Sequence, residues 1–136
     1  MHIRTSGSVL PWQYYGKKFL ATENWSEVEL KFSDFKKSAI SKFLEKSSIR
    51  IRAYQPNCMI SAAVKPNLKS AHENFGQEWD LWLDKGYIDR AVPMNYTREN
   101  KIFKENISSI KKGLGLKLIE NVIMGIGIYN QNYKSH

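Results

Sequence analysis

Three short, unbroken apolar runs alternate with segments of helical periodicity, and this alternation constrains the fold more than any other feature of the chain. The first run is Cys58-Met59-Ile60-Ser61-Ala62-Ala63-Val64, closed by Lys65-Pro66-Asn67. The second extends from Tyr87 to Tyr96 around Ala91-Val92-Pro93-Met94, and the third from Leu118 to Tyr129. A run without polar alternation reads as a strand buried on both faces, the pattern of a parallel sheet. Ahead of the first run, Phe35, Ala39, Ile40, Phe43, Leu44, Ile51 and Tyr54 keep to one helical face. Ser33 is the predicted N-cap of that helix, Asp34 suits its first turn, and Pro56 stops it. A second helix is predicted from Gly76 to Lys85 with Trp79, Leu81, Trp82 and Leu83, ended by Gly86. A third carries Ile102, Phe103, Ile107 and Ile110 and closes at Gly113 and Gly115. The order loop-α-β-α-β-α-β predicts an α/β fold with right-handed crossovers.

The remaining stretches are assigned by default. Residues 1–31 hold Gly7, Pro11 and Gly16 among Trp12, Tyr14, Tyr15, Phe19 and Trp25, and read as a long aromatic-rich loop region. Residues 32–130 form the domain, and 131–136 a tail. With 42% apolar and 12% aromatic residues the chain has globular composition, which excludes disordered and low-complexity classes. Its single cysteine, Cys58, cannot form an internal disulfide and reads as a core thiol. No apolar run approaches the roughly 18 residues of a membrane span, so no span is expected. The N-terminal residues lack the apolar stretch of a secretory signal.

A formal charge of +8 raises the question of nucleic acid. Lys36, Lys37, Lys42, Lys46, Lys101, Lys104, Lys111, Lys112 and Lys117 are spread along two helix-like segments, with no aromatic platform between them. They read as solvated helix faces, and no nucleic-acid partner is expected.

Chemical motifs are sparse. Gly125-Ile126-Gly127 lies within a strand and precedes no helix, so it is not a phosphate-binding turn. His2, His72 and His136 stand at no metal-ligand spacing. No Gly-x-Ser-x-Gly elbow occurs. No metal and no cofactor is expected.

More specific words appear between Ser61 and Thr97. Ser61-Ala62-Ala63-Val64, Gly76-Gln77-Glu78-Trp79, Trp82, Gly86, Ile88-Asp89 and Pro93-Met94-Asn95-Tyr96-Thr97 together resemble the glycosyl-hydrolase-like 10 family of (β/α)8-barrel proteins. The similarity runs from about Trp25 to Tyr129, with Gly125, Gly127 and Tyr129 resembling that family's next strand. Ile3-Arg4 resembles the remainder of the family's Asp-Tyr-Ile-Arg-Tyr strand end. The resemblance implies a partial TIM-type barrel, about strands five to seven with their helices. A complete barrel takes about 250 residues against the 136 present. Either the chain is a fragment or truncated gene product, or it closes its sheet by self-association through open edges. The resemblance also implies hydrolysis of O-glycosyl bonds in polysaccharide or cell-wall glycan, and an exported or cell-surface protein.

In a barrel the ligand lies at the C-terminal ends of the strands. That rule selects Asn67, Asn95, Tyr96 and Tyr129 as sugar-contacting residues, joined by Gln77 and Trp79 at the start of the second helix. The competing reading has Asn95 tying the loop backbone, Tyr96 capping the barrel, and Trp79 and Trp82 packing the helix on the sheet. Asp89, at the start of its strand, is expected in a salt bridge or turn cap. Glycoside hydrolysis needs two carboxyl groups roughly 5 to 9.5 Å apart. None of the 13 acidic residues falls at a strand's C-terminal end. Glu99, in the loop after Tyr96, is the catalytic candidate, with Glu23 behind it. The expectation is therefore a hydrolase segment inactive as an isolated chain. Its rivals are a carbohydrate-binding module using Trp12, Trp79, Asn95 and Tyr96, and an inactive remnant.

Overall fold

The computed structural model describes residues 2–4 and 25–128. Among these residues four strands, β1 (His2–Arg4), β2 (Ser61–Val64), β3 (Arg90–Asn95) and β4 (Gly125–Ile126), form one sheet in the order β1-β2-β3-β4. All three neighbouring pairs are parallel, with Ala63 beside Arg4 and Val92, and Met94 beside Gly125. Four helices connect or flank them: α1 (Trp25–Tyr54), α2 (Leu68–Phe75), α3 (Trp79–Asp84) and α4 (Asn100–Ile119). The α/β class and the parallel sheet agree with the sequence pattern.

Several predicted boundaries are corrected. Helix α1 runs 30 residues from Trp25, so Ser33 is inside it rather than its N-cap, and the 1–31 loop region gives way to strand at His2–Arg4 and helix at Trp25. Ser33 Oγ instead donates to the Glu73 carbonyl at 3.5 Å. Gly76 does not open a helix. It ends α2, an unpredicted helix capped by Asn67, with φ 63° in the left-handed region and its N–H donated to the Ala71 carbonyl. A Cβ at Gly76 would also sit 3.0 Å from Lys36 Cβ. Helix α4 continues through Gly113 and breaks at Gly115, where φ is 72°. Leu118 and Ile119 are still helical, so the third strand region starts only at the Ala91–Val122 bridge.

The sheet has two unlike faces. Ile60, Ala62, Val64 and Ala91 join Leu44 of α1, Trp79 and Trp82 of α3, and Ile110 of α4 in one buried core, against which Val122 and Met124 also pack. These strand residues share one face by the two-residue period of a strand. The intervening residues Val92 and Met94 are half-buried, while Ala63 on β2 is buried, and along β3 buried and half-buried positions alternate. Strand β2 is buried at Ala62, Ala63 and Val64 alike, as expected, whereas β3 departs from that expectation. Among the described residues the helices pack on one face.

Topology explains this. Right-handed crossovers between strands laid down in unbroken sequential order all pass on the same side of the sheet. A doubly wound sheet covers both faces only because its strand order reverses. This order never reverses.

Candidate functional site

Each of β2 and β3 runs directly into a turn and then a helix, so the starts of α2 and α4 stand at one end of the sheet. The turn segments are Lys65-Pro66-Asn67 and Tyr96-Thr97-Arg98-Glu99. This end is the C-terminal edge of the strands, where a parallel sheet offers helix N-termini and adaptable turns to a ligand.

Tyr96 is the exposed aromatic of this edge, at 41% of its full accessibility. Its ring rests on β4. A Cβ added at Gly127 would lie 3.1 Å from Tyr96 Cβ and 3.2 Å from Cγ, and one at Gly125 would lie 3.4 Å from Cε1. Gly125 and Gly127 stand two residues apart and thus on one face, so the strand offers a flat bed under the ring. Gly127 makes the tight approach to the tyrosine, whereas at Gly125 the tightest neighbour of an added Cβ is the Pro93 carbonyl oxygen at 3.1 Å. The sequence displayed this signal as two glycines at strand period, beside their resemblance to the family's next strand.

The other predicted contact residues are committed to the fold. Asn95 is 1% exposed; its Nδ2 donates to the Phe103 carbonyl at 3.2 Å, and its Oδ1 accepts from Asn106 Nδ2 at 2.9 Å. It fastens the end of β3 to α4. Gln77 and Trp79 are wholly buried. Gln77 Oε1 accepts the Lys65 N–H at 2.8 Å, and Trp79 Nε1 donates to the Lys65 carbonyl at 3.1 Å. Asn95, Gln77 and Trp79, selected from the sequence for stacking and hydrogen bonding, are thus all buried in this structure. Asn67 is exposed, but its Oδ1 accepts the Ser70 N–H at 3.0 Å as the N-cap of α2. Tyr129 lies outside the described residues, as do Trp12 and Glu23.

Glu99 is exposed and takes the N-cap position of α4 without a side-chain capping bond; its own N–H donates to Thr97 Oγ1 at 3.2 Å. A carboxylate there is favoured by the helix dipole. It has no second carboxylate in either turn segment.

Lys65 completes the edge. Its backbone is held on both sides by Gln77 and Trp79, and its Nζ sits 4.6 Å from the centroid of the Phe75 ring. An ammonium over an aromatic face is attracted by the ring quadrupole, which orients it without an acidic partner.

The opposite end of the sheet is built from matched ions. Asp89 Oδ1 lies 3.0 Å from Arg52 Nη2, and its Oδ2 accepts the N–H of buried Ile60 at 2.8 Å. Asp89 serves as both salt-bridge partner and backbone cap, as its position predicted. Arg52 also donates to the Gly86 carbonyl, and Arg90 to Asn121 and the Glu120 carbonyl. Arg52, Gly86, Asp89, Arg90 and Asn121 line a cleft of about 450 Å³ together with Cys58. Every charged group named there already has a partner within the chain.

Two polar arrangements escaped the sequence reading. His72 Nε2 lies 2.7 Å from Asp80 Oδ1, a pairing made possible by the reversal at Gly76 between α2 and α3. Lys36 is buried in α1, its Nζ donating to the Asn74 carbonyl at 3.1 Å and standing 5.3 Å from the Phe32 centroid. Burial lowers its pKa from the ordinary lysine value. Among the described residues no group of three or more His, Cys, Asp or Glu could hold a metal ion, and no helix is long and apolar enough to cross a membrane.

No protein-family model matches the chain, and no curated protein matches it.

Proposed function

We propose that this chain is part of a (β/α)8 barrel of the glycosyl-hydrolase-like type, retaining carbohydrate at the C-terminal ends of its strands without hydrolysing it. The observation that carries the reading is Tyr96, a half-exposed ring bedded on Gly125 and Gly127 at the edge where barrel enzymes hold substrates. A pyranose presents a flat face of C–H groups that stacks on such a ring. The barrel part rests on four parallel strands in sequential order with helices on one face. The Ser61-Ala62-Ala63-Val64 and Pro93-Met94-Asn95-Tyr96-Thr97 words resemble the corresponding strands of the family.

Binding without turnover follows from the carboxylate inventory of the edge. Glu99 is the acidic residue of the two turn segments, and acid–base hydrolysis of a glycoside needs a pair. Glycan titrated into the purified chain, with calorimetry and a reducing-end assay run in parallel, tests both halves. The expected result is weak retention of cello- or chito-oligosaccharides, lost by about tenfold in Tyr96→Ala as one aromatic contact is removed, and no new reducing ends. Unchanged affinity in Tyr96→Ala, or measurable turnover by the chain alone, overturns the reading.

A further inference from the structure

We propose that the cleft at the N-terminal end of the sheet binds a small organic monocarboxylate, whose two oxygens are received by the side edge of Arg90. The inference requires nothing of the carbohydrate reading, which concerns the opposite end of the strands.

The first support is the bonding of Arg90. Its Nη1 donates to the Glu120 carbonyl at 3.1 Å and to Asn121 Oδ1, which engages both hydrogens of that nitrogen. Nε and Nη2 have no acceptor among the described residues. Both are open to solvent, because among the described residues no buried side-chain nitrogen or oxygen lacks a hydrogen-bond partner. In a planar guanidinium the Nε–H and one Nη2–H point the same way, and a carboxylate accepts from that pair through two parallel bonds. The bonds at Nη1 hold the plane beforehand, so a ligand has little left to order.

The second support is charge. The charged residues lining the cleft are Arg52, Asp89 and Arg90. Asp89 is fully engaged, its Oδ1 with Arg52 at 3.0 Å and its Oδ2 with the Ile60 N–H at 2.8 Å. Arg90 has partners too, but both are neutral, and it forms no ion pair among the described residues. The cleft therefore carries one uncompensated positive charge on a half-buried side chain. A singly charged anion balances it, and the partly enclosed setting strengthens the attraction over that at an open surface. A dianion would leave a negative charge beside Asp89.

The third support is the wall. Leu83 and Ile88, both buried, line the same cleft with Pro56 and Met59. Its volume of about 450 Å³ suits a small molecule. A charged fork beside an apolar wall selects an organic acid with a compact apolar body, since an inorganic anion would fill the fork and leave the wall wet.

Benzoate titrated into the 15N-labelled full chain, followed through the arginine Nε–H signals, tests the proposal. One such signal is expected to shift and saturate in the millimolar range. Arg90→Lys should remove that signal and weaken benzoate by about tenfold or more, because an ammonium keeps the charge but cannot form the two parallel bonds. Asn57, exposed in the cleft wall, supplies a second variant that leaves the fold untouched. Asn57→Asp adds a carboxylate and should weaken benzoate about fivefold with an unchanged urea midpoint. Inorganic phosphate should bind more weakly than benzoate. The absence of a saturable shift, or a shift that survives in Arg90→Lys, overturns the inference. Benzoate affinity indifferent to Asn57→Asp, or phosphate bound as tightly as benzoate, does so as well.

Discussion

Gln77 Oε1 accepts the N–H of Lys65 at 2.8 Å, so a wholly buried amide fixes the residue at which β2 leaves the sheet. Trp79 takes the carbonyl of the same residue. One peptide end of a strand is thereby held by two side chains from beyond α2, Gln77 just after the Gly76 reversal and Trp79 at the start of α3.

Replacing Gln77 by Leu keeps the volume near constant and leaves the Lys65 N–H without its acceptor. The expected loss is about 1–3 kcal/mol, the cost of an unsatisfied buried donor. Trp79→Phe removes the bond to the carbonyl and leaves a cavity where the larger indole was, so it should cost more than the about 1 kcal/mol of the bond alone. Urea denaturation measures both, and a Gln77→Leu midpoint equal to wild type would show that the bond contributes nothing.

At the other end, Asp89 has two separable roles. Its side chain is 39% exposed and that of Arg52 35%, so solvent screens the ion pair to roughly 1 kcal/mol or less. The bond from Ile60 N is the larger share, because Ile60 is wholly buried. Asp89→Ala should therefore cost about 2 kcal/mol or more, and Arg52→Ala distinctly less through the ion pair itself. Equal losses in the two variants would contradict this partition.

Gly127→Ala places a methyl 3.1 Å from Tyr96 Cβ, closer than most packed carbons approach. The variant should be destabilised by about 1–3 kcal/mol through overpacking. In a Tyr96→Ala background the same substitution should cost much less, since the clashing ring is gone. A double-mutant cycle on stability reads the coupling, and additive effects would refute the contact.

Lys36 predicts a pH dependence with a defined sign. Burial lowers its folded-state pKa. Below that lowered value it is charged in both states, and the cost of burying the charge is present in full. Between the lowered value and the ordinary lysine value of about 10.4, the unfolded chain binds more protons than the folded one, so stability rises with pH. Lys36→Met removes this contribution. Urea midpoints followed from about pH 7 to about 10.4 should climb more steeply in wild type than in Lys36→Met. Parallel profiles would sink the assignment.

The sequence alone determined the class. Continuous apolar runs between amphipathic segments demand parallel strands with helical crossovers, and Val64, Asn95 and Gly127 fall close to the strand ends the pattern marked. Local chemistry also placed Asp89 in an ion pair. Tertiary structure decided what each polar group is free to do. Asn95, Gln77 and Trp79 lie in the right region of the fold for a ligand, yet their hydrogen bonds reach Phe103, Asn106 and Lys65, partners visible only once α4 and the Gly76 reversal are folded. The same holds for the helix that starts at Trp25 and for the face of the sheet on which the described helices pack. Periodicity reports how apolar a strand is, because burial selects composition locally. Which face is covered is a property of strand order, and no window of sequence contains it.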